Sequence, residues 1–414
     1  MHKKYGKRLG CIVLSCFLAL QLCACNNAGN ATVQQQTAAV KEETSQEVLS
    51  SLTEETVSEE TTPENATAED MKEIVGAISY DYEQELNIIE DNYRNYYEIF
   101  VYSFYDSDGD GIGDLNGVTQ KLDYIKEMGF NGIWLMPIMQ STTYHKYDVT
   151  DYSSIDTEYG TMEDFQRLVE ECHKRDIRII IDFVINHSSS KHQWFVDACE
   201  YLKKLPEGQE PDLNECPYVD YYHFAREQVS GDYYQVSGSD WYYEGVFWSE
   251  MPDLNLSNEA LRTELEDISR FWIDMGVDGF RMDAVMHFEE NDTTFNTEAL
   301  NWLFSFCTSL NPDFYMVSEV WANKATITNY YASETPSMFN FDLADTEGKL
   351  IKAARGNYKA ASLVENMVGY QTDYAEKNPN FIDAPFIANH DMGRVANGLT
   401  KNADNMKMAC VLLM

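Results

Sequence analysis

The chain has 414 residues, with 69 acidic against 30 basic side chains, for a formal charge of −39. Such an acidic surface repels the phosphates that a nucleic-acid binder must neutralise, so nucleic acid is excluded as the expected partner. With 44% hydrophobic residues the chain can bury a large core, and its length allows one large α/β barrel or two or three smaller domains.

The elements follow in chain order. Lys3, Lys4, Lys7 and Arg8 form a basic head, and Leu9 to Leu22 is an apolar run too short to span a bilayer comfortably. That is the pattern of an export signal. The run ends Leu22-Cys23-Ala24-Cys25, which resembles a bacterial lipobox. Residues 1–25 are therefore expected to be a lipoprotein signal, with the mature chain held by a lipid on Cys25 to the outer face of the bacterial cell membrane and by nothing that spans it, plain secretion being the alternative. Residues 26–95 begin with a long stretch rich in Thr, Glu, Ser and Gln without an apolar period, and are expected to be an acidic linker.

From Tyr96 onward strands and helices alternate. Glu98–Tyr105 reads as a strand, Val118–Met128 as a helix through Val118, Leu122 and Ile125, and Asn131–Ile138 as the next strand. Thr161–Lys174 is a helix opened by a capping-box variant of Thr161 and Asp164. Ile177–Ile185 is almost wholly β-branched and apolar, as a parallel strand covered on both faces should be. After His187 the alternation breaks, and residues 188–250, rich in Tyr, Trp, Gly and Asp, are expected to be an inserted domain after the third strand. It resumes with the helix Asn258–Met275, the strand Val277–Asp283, the helix Thr297–Leu310 and the strand Phe314–Glu319. Met338–Leu343 and Pro385–Asn389 complete seven strands. Repeated βα units in one series imply a parallel sheet closing into a barrel. Of the nine cysteines, Cys172, Cys199, Cys216, Cys307 and Cys410 lie beyond the signal. No Cys/His spacing suggests zinc, buried free thiols are the expected state, and a Cys199–Cys216 disulfide is the one alternative.

Chemistry-bearing residues gather at strand ends. Asp182, Asn186 and His187 follow one strand, Arg281 and Asp283 end another, Glu319 follows a third, and His390 and Asp391 a fourth. In a parallel barrel these ends share one face. Arg281 and Asp283 are two positions apart on one strand and point the same way, so the guanidinium can keep that carboxylate ionised. Glu319, among Val317, Val320 and Trp321, is the better candidate for a raised pKa.

Asp182-Phe-Val-Ile-Asn-His187, Gly279-Phe-Arg-Met-Asp-Ala-Val-Met-His287, Val317-Ser-Glu-Val-Trp321 and Phe386-Ile-Ala-Asn-His-Asp391 resemble, in order, the four signature segments of the α-amylase family, glycoside hydrolase family 13. The resemblance implies a (β/α)8 TIM-type barrel and a retaining enzyme acting on α-glucosidic bonds. Asp283 would be the nucleophile, Glu319 the general acid/base and Asp391 the third carboxylate. It implies that His187, His287 and His390, with Arg281, contact the sugar or hold the site. Tyr144-His-Lys-Tyr147 resembles the segment in which an aromatic ring, here Tyr147, lies under the cleaved sugar and a histidine, here His145, donates to it. Asp182 and Asn186 are read as shaping the site.

Asp106-Ser-Asp-Gly-Asp-Gly-Ile-Gly-Asp114 puts side-chain oxygens at alternate positions of a glycine-rich loop, as calcium requires. An EF-hand is excluded, because its twelfth position is Gly117 and the expected element before it is a strand. The string resembles the family's calcium loop, which implies Ca2+ held by Asp106, Asp108, Asp110, the Ile112 carbonyl and Asp114.

Met251-Pro-Asp-Leu-Asn255 resembles the fifth family segment in a form between the oligo-1,6-glucosidase and neopullulanase types, and Ala284 is the small residue that goes with α-1,4 linkages. Met286 stands where many α-amylases have Lys. The expected activity is hydrolysis of α-1,4 bonds in starch or maltooligosaccharides. An α-glucosidase, oligo-1,6-glucosidase or 4-α-glucanotransferase is the enzyme alternative, and a non-catalytic glucan-binding surface lipoprotein is the other. Measured against the family pattern, the sequence stops short of an eighth βα unit and a C-terminal β-sandwich, so a fragment, unstable or inactive alone, is expected.

Overall fold

The computed structural model describes residues 94–413. The expected signal, Cys25 and nearly all of the linker lie outside the described residues. Six strands form one parallel sheet: β1 (Tyr96–Ile99), β2 (Gly132–Leu135), β5 (Arg178–Phe183), β9 (Gly279–Met282), β10 (Tyr315–Ser318) and β11 (Ser337–Met338). They lie side by side in that sequence, so chain order is sheet order. Between them fall β3 (Met139–Ser141) and β4 (Val149–Ile155), an antiparallel pair, and β6 (Phe224–Ala225), β7 (Tyr233–Gln235) and β8 (Tyr242–Glu244), a three-stranded antiparallel sheet in the 188–250 segment.

Period-two alternation sorts the strand side chains. Ile179, Ile181, Phe183, Phe280, Met282 and Met316 pack outward into the main core, toward the helices. Trp134, Ile180 and Val317 form a separate inner cluster with Tyr96, Tyr315 and Phe339. The sheet curls around that cluster. The rings of Tyr96 on β1 and Tyr315 on β10 stack with centroids 5.4 Å apart, whereas four strand spacings in a flat sheet would separate them by about 19 Å. Close packing inside the curl requires Gly279, where an added Cβ would lie 2.2 Å from the Tyr315 carbonyl oxygen.

Most expected elements form, with boundaries moved. The helix Met162–Lys174 carries the full capping box of Thr161 and Asp164, and Glu259–Asp274 starts on an Asn258 cap that accepts from Leu261 N–H. Three expectations are corrected. The strand expected over 98–105 ends at Ile99, and Val101–Phe104 forms a helical turn. This segment folds back over the next loop so closely that a Cβ on Gly113 would sit 2.0 Å from the Val101 oxygen. The helix expected over 118–128 is two, Leu115–Gln120 and Leu122–Glu127, because Lys121 N–H bonds the Val118 carbonyl in a tighter turn while the apolar period runs on across the break. Residues 385–389 form no strand. A single parallel bridge, Phe339 to Ala384, ties their start to the sheet, since Pro385 brings no N–H and β11 offers only two residues. Cys199 and Cys216 are buried free thiols, the expected state rather than the alternative disulfide. Among the described residues no helix is long and apolar enough to cross a membrane.

Candidate active site

Arg281 is the centre of the site. β5 and β9 pair with Asp182 beside Arg281, and β9 and β10 with Arg281 beside Val317, so one inward cation stands among three strand ends. Its side chain is fully buried, with Nη1 2.6 Å from both Asp182 Oδ1 and Asp283 Oδ1 and Nη2 3.1 Å from Glu319 Oε2. Removing a charge from water to this degree is tolerated only with close partners. Here three carboxylates keep the guanidinium cationic against burial. The Trp134 ring lies over it at 5.2 Å, and the Trp134 indole N–H donates to Asp182 Oδ2 at 3.0 Å. Burial, with the Asp283 charge, pushes the Asp182 carboxyl up, and Arg281 opposes it.

Asp283 and Glu319 thus sit on the two amino groups of one guanidinium. Ala284, directly after Asp283, adopts a left-handed backbone with φ of 48°, a conformation a non-glycine residue holds only where its surroundings impose it. That turn aims the Ala284 N–H at Glu319 Oε2, 3.0 Å away. Burial raises the Glu319 pKa first, and the Asp283 and Asp391 charges add to it, while Arg281 and the Ala284 N–H pull down without cancelling the rise. The expected wall of Trp321 is absent: that ring is half exposed and stacks on Phe341 instead.

His390 brings in the third expected acid. Its Nε2 lies 3.1 Å from Asp391 Oδ2 and 2.8 Å from the Tyr147 hydroxyl, and its Nδ1 2.7 Å from Glu98 Oε1. Burial disfavours the charged ring, but the two carboxylates push His390 up to about 10, so it is an imidazolium at neutral pH. It holds Asp391 below the usual carboxylate range against burial. Asp391 stays half exposed at the rim and acts on Glu319 and Arg281 through its field rather than by contact.

Tyr147 stacks on His390 with centroids 5.6 Å apart and donates its hydroxyl to Asp182 Oδ2 at 3.2 Å. Its N–H donates to His145 Nδ1 at 3.1 Å, which leaves Nε2 as the proton-bearing nitrogen, and burial lowers the His145 pKa, keeping the ring neutral. His187 is buried and pushed down to about 4, and its Nε2 has no hydrogen-bond partner among the described residues. The His287 ring pairs with Glu290 and packs edge-on against Phe247, which also touches His187. Asn186 donates to Asp253 at 3.3 Å and shapes the strand end.

Glu98, Trp134 and Phe247 were not singled out from the sequence. Glu98 carried one usable signal, an acid at an inward-facing strand end, but its partner is 292 positions away.

In the 106–114 loop, Asp106, Asp108 and Asp114 bring one carboxylate oxygen each within 4.8 Å of the others. Hard oxygen donors at this spacing fit a calcium ion. The Asp106 carboxylate accepts from the N–H groups of Gly109 and Gly111 at 2.6 and 2.9 Å. Asp114 caps Leu115–Gln120 and accepts from Ser107. Asp110 departs from the expected ligand set. It stands outside this cluster, and its Oδ1 accepts from Ile112 N–H at 2.7 Å.

Inward carboxylates on one cation at the carboxyl ends of a curled parallel β/α sheet define a site of the TIM-barrel enzyme class. The catalytic-domain model of the α-amylase family matches residues 98–414. Alpha-amylase 3 of Dictyoglomus thermophilum is 43% identical over 309 residues, covering 73% of this chain and 58% of that protein. Glucan 1,6-alpha-glucosidase of Streptococcus pneumoniae is 34% identical over 325 residues with the same coverage. The solved structure of Eubacterium rectale Amy13B superposes with a TM-score of 0.76 at 49% identity, covering 80% of this chain and 65% of that one. The chain belongs to the α-amylase family, glycoside hydrolase family 13. It spans 58% of the length of the two curated relatives named here.

Proposed function

We propose that this protein is a retaining α-glucan hydrolase that cleaves α-1,4 bonds of starch or maltooligosaccharides. The observation that carries it is the pairing of Asp283 and Glu319 on the two ends of the Arg281 guanidinium. Retention needs two carboxyl groups about 5 to 5.5 Å apart with opposite protonation. Arg281 Nη1 holds Asp283 Oδ1 at 2.6 Å, which orients that carboxyl for attack on the anomeric carbon. The raised pKa of Glu319 suits protonation of the leaving oxygen, and the same carboxylate then takes a proton from the attacking water. Tyr147 would support the sugar ring, with His145, His187 and the His390 imidazolium as donors to its hydroxyls. His287 and Phe247 would meet the departing chain. Asp391, at the rim, would accept from sugar hydroxyls.

Calcium fits the Asp106, Asp108 and Asp114 cluster, where it would supply loop rigidity and no chemical step. The basic, apolar N-terminus supports an exported enzyme anchored through Cys25. A glucosidase reading is favoured by one finding, the similarity to proteins named glucan 1,6-alpha-glucosidase and oligo-1,6-glucosidase.

The test is Asp283→Asn in the full-length protein. Release of reducing sugar from amylose should fall about a thousandfold or more, while retention on immobilised amylose persists. A wild-type protein that retains amylose and never cleaves it would instead establish the glucan-binding reading.

A further inference from the structure

We propose that Lys146 is a positioning residue whose buried charge fixes the turn that aims His145 and Tyr147 into the sugar pocket. The inference deepens the proposed hydrolase function and rests on it.

Lys146 lies between these two residues with φ of 65°, in the left-handed region. Lysine has no short polar side chain to bond its own backbone there, so the conformation is strained unless something outside the turn imposes it. Burial of the ammonium supplies that constraint. The side chain is 3% exposed and its Nζ lies 3.1 Å from Asp156 Oδ1, itself 2% exposed, with Glu158 as a second partner. Asp156 is rigid in turn: its Oδ2 accepts from Ser141 N–H at 3.0 Å and its Oδ1 from Glu158 N–H at 3.0 Å. Ser141 ends β3 and Asp156 follows β4, so the ammonium ties the 142–148 loop to the base of its own hairpin.

The turn has a consequence on each side. It closes the Tyr147 N–H onto His145 Nδ1 at 3.1 Å, which fixes the tautomer that presents Nε2–H. It also puts the Tyr147 hydroxyl 2.8 Å from His390 Nε2. Folding of the loop has separate support, because Asp148 accepts from Ser141, Thr142 and Thr143 hydroxyls and from Ser189 Oγ at 3.4 Å. Loss of the Lys146 charge therefore leaves a folded loop with its two substrate-facing residues misaimed.

Three variants of the full-length protein test this. Lys146→Met strands the Asp156 carboxylate, and both the melting temperature and the kcat on maltohexaose should fall, the kcat by about tenfold. Lys146→Met/Asp156→Asn removes both charges. The melting temperature should recover and the kcat should not, because the neutral pair no longer dictates the turn. In a Tyr147→Ala background Lys146→Met should cost less than about twofold in kcat, since the group it aims is gone. Recovery of kcat together with melting temperature in the double variant, or full additivity with Tyr147→Ala, would overturn the proposal. Wild-type protein without turnover of any α-glucan would overturn the parent reading and this inference with it, whereas wild-type turnover with an unaffected Lys146→Met variant sinks this inference alone.

Discussion

Glu319 lies 3.1 Å from the Arg281 guanidinium, and its burial sets its pH response. Glu319 is buried beside a like charge, so its acid form persists above the ordinary carboxylate range. A general acid must be protonated at the start of the cycle, so kcat/KM should hold while Glu319 keeps its proton and fall as pH rises through its raised pKa. A pH profile of the wild-type protein and Glu319→Gln checks this: the alkaline limb should vanish in the residual activity of the variant. An unchanged alkaline limb would assign it to another group. At this scale the sequence was informative where roles follow from spacing. Arg281 and Asp283, two positions apart on one strand, pair as their period demands. Glu98 and Trp134 were illegible, because each earns its place only by a contact with a residue distant in sequence, His390 for one and Asp182 for the other.

The loop from Phe100 to Gly117 is where local pattern and tertiary packing parted. Its apolar residues have strand composition, but Gly113 and Gly117 let the chain double back, with Gly113 N–H on the Tyr102 carbonyl at 2.8 Å, and the strand gives way to a turn. Helix starts were easier to read, because a cap such as Thr161 acts within four residues. The segment 385–389 failed for the opposite reason, since a strand needs a neighbour and none of suitable length is beside it. The acid cluster in the 106–114 loop yields a prediction at this scale. Calcium bound only by the folded loop stabilises by mass action, so a chelator should lower the melting temperature by about 5 °C. Asp108→Asn should remove most of that response. A melting temperature indifferent to chelator would leave the cluster a plain acidic turn.

Across the whole molecule, the chain's alternation of strands and helices was enough to give parallel strands in sequential order, and the curl then follows from inner rings such as Tyr96 and Tyr315 meeting across it. His390 ties β1 to the segment beyond residue 389 through Glu98, so it holds together parts of the fold that are far apart in sequence. Its folded pKa of about 10 lies above the ordinary 6.5. The sign follows: this clamp contributes fully below the ordinary value and is lost as pH rises toward the folded one. The gap in melting temperature between wild type and His390→Gln should therefore be widest near about pH 6 and narrow steadily toward about pH 10. A gap that stays constant over that interval would mean the ring stabilises by packing alone.

The placement of Arg281 between two acids has one more effect in the proposed reaction. As Asp283 is esterified and loses its negative charge, Glu319 gives its proton to the leaving oxygen and becomes negatively charged, and hydrolysis reverses the exchange. The electrostatic load on the cation is therefore the same at rest and at the covalent stage; only the end of the fork that bears it alternates. A planar, delocalised guanidinium meets that alternation without moving, which a lysine's point charge would not.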